Sequence, residues 1–259
     1  MLAADGAVMP ANPLLDLNRR LVIAHRGNRI RAPENTMGAL RQAVELGADA
    51  LEFDVRLSRD GVPVIMHDSR VDRTTDGIGD VATMTLAELR ALDAAARSPY
   101  RVKRVPVPTL EEVLDAFRDV PVVIEVKEMA AAESTADMVR RFAIQDHVLI
   151  GSPRTEVMQW FYGSGISSCA SMRDATRMIP IGLFRMRTTR PPYQVLSITR
   201  SFRGFPIPVL PMARAARAIG IPTHVWTVNE PDVARRLWDG GVSGIVTDDP
   251  AAMIKARGS

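Results

Sequence analysis

The sequence predicts an α/β fold of the closed (β/α)8 type, a TIM barrel. Three observations lead there. Eight short runs rich in β-branched and apolar residues recur along the chain, amphipathic stretches separate them, and the length of 259 residues suits one such barrel. The runs are Leu21–His25, Ala50–Leu57, Val122–Lys127, Val148–Gly151, a loosely bounded one between Ile166 and Phe184, Val195–Thr199, Thr223–Val228 and Gly244–Thr247. A doubly wound open sheet shares this periodicity and stays open as an alternative.

Helical patterns fill the gaps at Met37–Leu46, Leu110–Phe117, Ala213–Ile219 and Asp232–Trp238. Thr109 followed by Glu112 reads as a capping box. Gly47, Gly220 and Gly240 sit where a helix end favours a residue that accepts positive φ. Residues 1–19 read as a tail or a short cap, and residues 20–259 as the barrel domain. The stretch of about 69–107 is too long for a simple connection. It carries Thr74-Thr75-Asp76-Gly77 and a helical pattern at Thr85–Ala95, and is expected to form a small inserted subdomain on the barrel rim.

Composition narrows the function classes. No apolar run approaches the roughly 20 residues of a membrane helix, and Met1 to Arg20 lacks a signal-peptide pattern. The single Cys169 has no internal disulfide partner, which suits a reducing compartment. A cytoplasmic protein is the expectation. Net charge is only +3, but Ala175 to Asn229 holds eight arginines and no acidic residue. That field would attract an anionic substrate or an acidic lipid surface in peripheral contact, or it is a solvated basic face, the commoner outcome. Nucleic acid is disfavoured, because no base-stacking aromatic pattern accompanies the arginines.

The chemistry gathers at the ends of the predicted strands. The first ends in His25-Arg26-Gly27, with Pro33-Glu34-Asn35-Thr36 just before a helix. Arginine offers a fork of donors that matches phosphate, and histidine exchanges protons near neutral pH. In Glu52-Phe53-Asp54 the two acids share one strand face, a costly placement inside a barrel unless a hard divalent cation compensates it. Two solvated strand-end acids are the plainer reading. Asp60-Gly61 reads as a two-residue hairpin loop, pairing Arg59 with Val62 and setting Asp54 opposite His67. Glu125 and Lys127 share a face on the next strand, as a further metal ligand and a phosphate donor or as an ordinary strand pair. Trp226 walls the site or packs at the barrel top. His224 lies deeper and His147 at the opposite strand end, so both read as structural, while Asp248 orders the last loop.

Taken in order, His25-Arg26-Gly27, Pro33-Glu34-Asn35-Thr36, Glu52-x-Asp54, Asp60-Gly61, His67-Asp68, Glu125-x-Lys127, Trp226-Thr227-Val228-Asn229 and Thr247-Asp248-x-Pro250 resemble the glycerophosphodiester phosphodiesterase family. The resemblance covers nearly the whole chain after the tail and thins between Gly151 and Pro211. It implies His25 and His67 as general acid and base, and one divalent metal ion, Ca2+ or Mg2+, held by Glu52, Asp54 and Glu125. It further implies Arg26 and Lys127 on the phosphate and Trp226 as an aromatic wall. The implied substrate is a small-molecule glycerophosphodiester, cleaved to sn-glycerol 3-phosphate and an alcohol through a cyclic phosphate. Lysophospholipid cleavage at the same site and a non-catalytic phosphate-ester binding protein are the alternatives.

Overall fold

The computed structural model describes residues 12–100 and 103–258, so the first part of the expected tail and residues 101–102 of the expected insertion lie outside it. In chain order the strands are β1 (Leu21–His25), β2 (Ala50–Leu57), β3 (Pro63–Ile65), β4 (Val122–Val126), β5 (Val148–Gly151), β6 (Leu196–Thr199), β7 (Ser201–Phe202), β8 (Phe205–Pro206), β9 (Thr223–Trp226) and β10 (Gly244–Thr247). The helices are α1 (Met37–Glu45), α2 (Leu86–Arg90), α3 (Leu110–Ala116), α4 (Ala132–Arg141), α5 (Thr155–Phe161), α6 (Met172–Phe184), α7 (Val209–Ala218), α8 (Pro231–Asp239) and α9 (Pro250–Arg257).

Seven parallel strands run in the order β5-β4-β2-β1-β10-β9-β6. Parallel bridges from Ser168 to Ile150 and from Cys169 to Val195 join the two ends. The fold is a TIM barrel, and its shortest stave is Ser168–Cys169. The expected run between Ile166 and Phe184 therefore contributes only its beginning to the sheet. Ser171 accepts from the Asp174 N–H and opens α6, which takes the rest despite Pro180 inside it.

Alternation along the strands sorts the side chains into two layers. Val22, Leu51, Phe53, Val55, Ile124 and Val126 face the helices, fully buried. Leu21, Ile23, Ala50, Val123, Leu149 and Val246 face inward and fill the barrel floor. The same parity carries His25, Glu52, Asp54, Glu125 and Lys127 to the inner top of the barrel. The floor also receives Leu14, fully buried, from a short 3-10 turn at Pro13–Leu15. Asn12 fixes that turn by donating to the Val148 carbonyl at 2.7 Å.

Several local expectations are corrected. The hairpin after β2 pairs Leu57 with Pro63 and Val55 with Ile65, one residue away from the expected register. Gly61 takes φ +79, and the Ser58 N–H bonds to the Val62 carbonyl at 3.0 Å, so the loop is Arg59-Asp60-Gly61. A three-residue loop with glycine in the left-handed position replaces the two-residue turn. Asp54 thus faces Met66, whose N–H it accepts at 3.0 Å, and not His67. In the segment between β3 and α3 the helix is only α2, opened by a Thr85–Glu88 capping box. Val71, Val81, Leu89 and Val107 give this segment a small core of its own against Val64 and Met66. At the end of α8 it is Gly241, not Gly240, that turns left-handed.

Candidate active site

The turn after β1 builds the first part of the site. Arg26 and Gly27 both adopt positive φ, +57 and +85. A Cβ on Gly27 would stand 2.5 Å from the main-chain carbon of Ala39, so α1 can lie against this turn only because residue 27 is glycine. The Thr36 side chain caps α1. Asn35 extends its amide to Asp54 Oδ2 at 2.7 Å. The Pro33–Thr36 motif thereby positions a carboxylate one strand away.

Glu52, Asp54 and Glu125 converge, with one oxygen from each lying within 4.8 Å of the others. Asp54 is fully buried between two cations, Lys127 Nζ at 2.7 Å and Arg26 Nε at 3.1 Å. Burial alone would raise its pKa, but Lys127 and Arg26 hold it far below the usual carboxylate range. Lys127 also reaches Glu125 at 2.8 Å and stays charged, its pairing with Asp54 and Glu125 outweighing burial. Glu52 is placed differently. It accepts the Arg26 main-chain N–H at 3.0 Å and lies 3.9 Å from His25 Nε2, but no Lys or Arg among the described residues pairs with it. Burial, and then Asp54, push its pKa up to about 8. Two unit charges 4.8 Å apart repel by roughly 3–4 kcal/mol at an effective dielectric of about 20. Three oxygen-bearing acids, with Glu52 lacking a direct Lys or Arg partner among the described residues, fit a hard divalent cation, which would relieve that repulsion.

The two histidines are set differently. His25 Nδ1 lies 2.7 Å from Asp248 Oδ1. Burial opposes its charged form, yet the Asp248 bond and Glu52 outweigh burial and raise its pKa. His67 Nδ1 lies 2.6 Å from Asp68 Oδ1, and burial lowers its pKa. The His67 carbonyl accepts from Arg56 Nε at 3.0 Å, which pins the segment after β3 to β2. The hairpin register therefore does not bring His67 to the site; its place just past the end of β3 does.

All of the expected site residues except Asp54 line one cavity of about 800 Å3. The remaining wall is largely apolar, with Ile179 from α6, Ile198 from β6, and Phe202, Ile207 and Met212 beyond them. His147 is remote, bonded to the Arg118 carbonyl at 2.7 Å. His224 is buried beneath the site, and burial lowers its pKa to about 4.

The model of the glycerophosphoryl diester phosphodiesterase family matches residues 25–252. The chain belongs to this family. A glycerophosphodiester phosphodiesterase of Caldanaerobacter subterraneus subsp. tengcongensis is 33% identical, over 91% of this chain and 97% of that protein. A probable glycerophosphodiester phosphodiesterase 2 of Mycobacterium tuberculosis is 32% identical, over 95% and 93%. Among solved structures, an Oleispira antarctica phosphodiesterase in complex with the product sn-glycerol-3-phosphate superposes with a TM-score of 0.77 at 27% identity, covering 92% of this chain and 97% of that one. The enzyme class is accordingly glycerophosphodiester phosphodiesterase.

Within this family member, Asp248 does more than order a loop, because it holds the His25 ring. Asn229 donates to Asp248 Oδ2 at 3.0 Å, and its side-chain oxygen accepts from Thr247 and from the Asp248 N–H, so the carboxylate is itself fixed. Glu34 is a second residue whose place the linear motif did not reveal. It binds Arg26, Arg29 and both terminal nitrogens of Arg73, and despite burial these arginines hold its pKa at about 2. Arg29 in turn reaches Asp248 at 3.2 Å. The only sequence signal for either network was the motif that contains it.

Proposed function

We propose that this protein hydrolyses glycerophosphodiesters to sn-glycerol 3-phosphate and an alcohol, with His25 and His67 exchanging the protons. The observation that supports this most directly is the shared cavity at the C-terminal strand ends, lined by two imidazoles, Glu52, Glu125, Arg26 and Lys127, with Asp54 converging on the two glutamates just behind its wall. A phosphodiester is anionic, so attack on phosphorus requires its charge to be offset. Arg26 and Lys127 serve that purpose through their N–H groups. Glu52, Asp54 and Glu125 would hold one divalent ion, Ca2+ or Mg2+, which supplies charge neutralisation at the phosphoryl oxygens.

A hydroxyl of the glycerol moiety next to the phosphate loses its proton to one imidazole and attacks phosphorus. The other imidazole protonates the departing alcohol oxygen. Water then opens the cyclic phosphate with the two roles reversed. Asp248 and Asp68 orient the two rings through their Nδ1 atoms, and Trp226, 40% exposed, walls the substrate. The buried free thiol of Cys169 suits the reducing, cytoplasmic setting that belongs to this reading.

A second reading, cleavage of lysophospholipids by the same groups, is favoured by one specific observation: the apolar wall formed by Ile179, Ile198, Phe202, Ile207 and Met212. A coupled assay of glycerol 3-phosphate release, run with and without chelator on glycerophosphocholine and other head groups, tests the first reading. Turnover should fall by roughly 10²–10⁴ in His25→Ala and in His67→Ala with the circular dichroism spectrum unchanged. Unaltered rates in both variants would remove the two histidines from the chemistry, and no turnover by the wild type itself would leave only a phosphate-ester binding protein. Turnover of lysophospholipid but not of glycerophosphocholine would establish the second reading.

A further inference from the structure

The apolar wall of the cavity does not stop at its mouth. Met172, Thr176 and Ile179 line the cavity from α6 at i, i+4 and i+7. The next position on that helical face is Leu183, 51% exposed. Phe184 and Met186 follow it, 74% and 55% exposed. The β7–β8 hairpin also borders the cavity: it presents Phe202, which lines it, and Phe205, 74% exposed. Two elements that border one opening thus both turn large apolar side chains to the outside. Scattered exposed apolar residues are ordinary, but a cluster around a mouth is not.

The charges at these two elements are of one sign. Arg185, Arg187 and Arg190 follow α6 and Arg203 sits at the hairpin tip, its guanidinium 5.5 Å from the Phe202 ring centroid. None of the four has a carboxylate partner among the described residues, whereas Arg177 and Arg200 are paired with Asp174 and Glu230. Residues 175–229 contain no acid at all. An apolar set framed by unpaired arginines matches an anionic bilayer in two respects. The aromatic side chains enter the boundary of the acyl region, and the guanidinium groups meet the head-group phosphates.

We propose that the end of α6 and the tip of the β7–β8 hairpin form a docking face for anionic phospholipid bilayers, with the cavity mouth turned toward the lipid. The face gives the second reading of function a route for its substrate, since a single-chain lipid leaving the bilayer meets the apolar wall first. That consequence rests on the catalytic reading. The docking itself does not, and binding is measured without turnover.

The test is flotation of the full chain with vesicles of phosphatidylcholine alone and of phosphatidylcholine mixed with phosphatidylserine. Binding is expected only to the mixed vesicles and is expected to weaken as salt rises. Arg185→Ala combined with Arg187→Ala should weaken it about thirtyfold, from about fivefold per arginine near an anionic surface. Phe184→Ser and Phe205→Ser should each weaken it roughly tenfold through lost apolar burial. These side chains are exposed and lie off the catalytic groups, so the melting temperature and the rate on soluble glycerophosphocholine should stay as in the wild type. Three results would overturn the proposal: no flotation with mixed vesicles, flotation that the four substitutions leave unchanged, or variants that lose only a self-association seen without lipid. A catalytically dead chain that still floats in this pattern upholds the docking face and removes only the functional reading.

Discussion

Acid should loosen this barrel through a single buried imidazole. His224 is 1% exposed on β9, with its ring against Gly244 of β10, where an added Cβ would lie 2.6 Å from a ring carbon. Among the described residues its Nε2 has no hydrogen-bond partner, and the ring makes a polar contact with the main chain of Leu14 in the floor turn. The folded protein therefore keeps the ring neutral, with burial lowering the pKa from 6.5 to about 4. The unfolded chain takes up the proton near 6.5 while the native state resists until about 4, so stability is complete above that window and falls as pH drops through it. The difference of 2.5 units corresponds to roughly 3 kcal/mol in full, and to roughly 2 kcal/mol by about pH 5. For a chain of this size that is a melting-temperature loss of about 4–8 °C. Thermal melts of the wild type and His224→Asn between about pH 7 and pH 5 measure it, because the amide cannot titrate there. The variant starts lower, having lost ring packing, but its curve should be flatter by that amount. Parallel curves for the two proteins would show that His224 does not carry the acid sensitivity.

Two further outcomes follow from the site. Asp248→Asn should lower the turnover rate by roughly 10–100-fold, less than the 10²–10⁴ assigned to an acid–base group, and should shift the pH–rate limb that belongs to His25. A rate loss with the pH profile unmoved would make Asp248 a loop residue only. Gly27→Ala should cost at least about 3 kcal/mol in denaturant melts, since it combines a φ of +85 with a 2.5 Å approach to Ala39; near-wild-type stability would mean that α1 is free to move away.

The parts of the molecule that obey a period were legible in the sequence. Strand alternation alone puts Glu52 with Asp54 on one face and Glu125 with Lys127 on one face, because parity is fixed by the pleat. What failed depended on a single residue of count or on long-range packing. The hairpin slipped because Asp-Gly serves both two-residue loops and three-residue loops that leave the glycine left-handed. The Ser168–Cys169 stave was blurred because its register comes from two neighbours distant in sequence and not from a run of its own. Helix α6 was hidden behind Pro180. The roles of Glu34 and Asp248 were out of reach for a different reason: each is defined by partners from other loops, and no local spacing encodes them.

The four-way joint at Glu34 has a consequence for anyone who would exchange loops between relatives of this enzyme. Arg73 belongs to the segment between β3 and α3, Arg26 to the catalytic turn, and Arg29 continues from the same carboxylate to Asp248 and so to the His25 ring. A transplanted rim segment that arrives without a cation for Glu34 would leave that carboxylate to Arg26 and Arg29 alone, free to shift toward them. The graft would then be felt as slackness in an imidazole on the opposite side of the joint, so chimeras need to move as a matched set of arginine and receiving carboxylate.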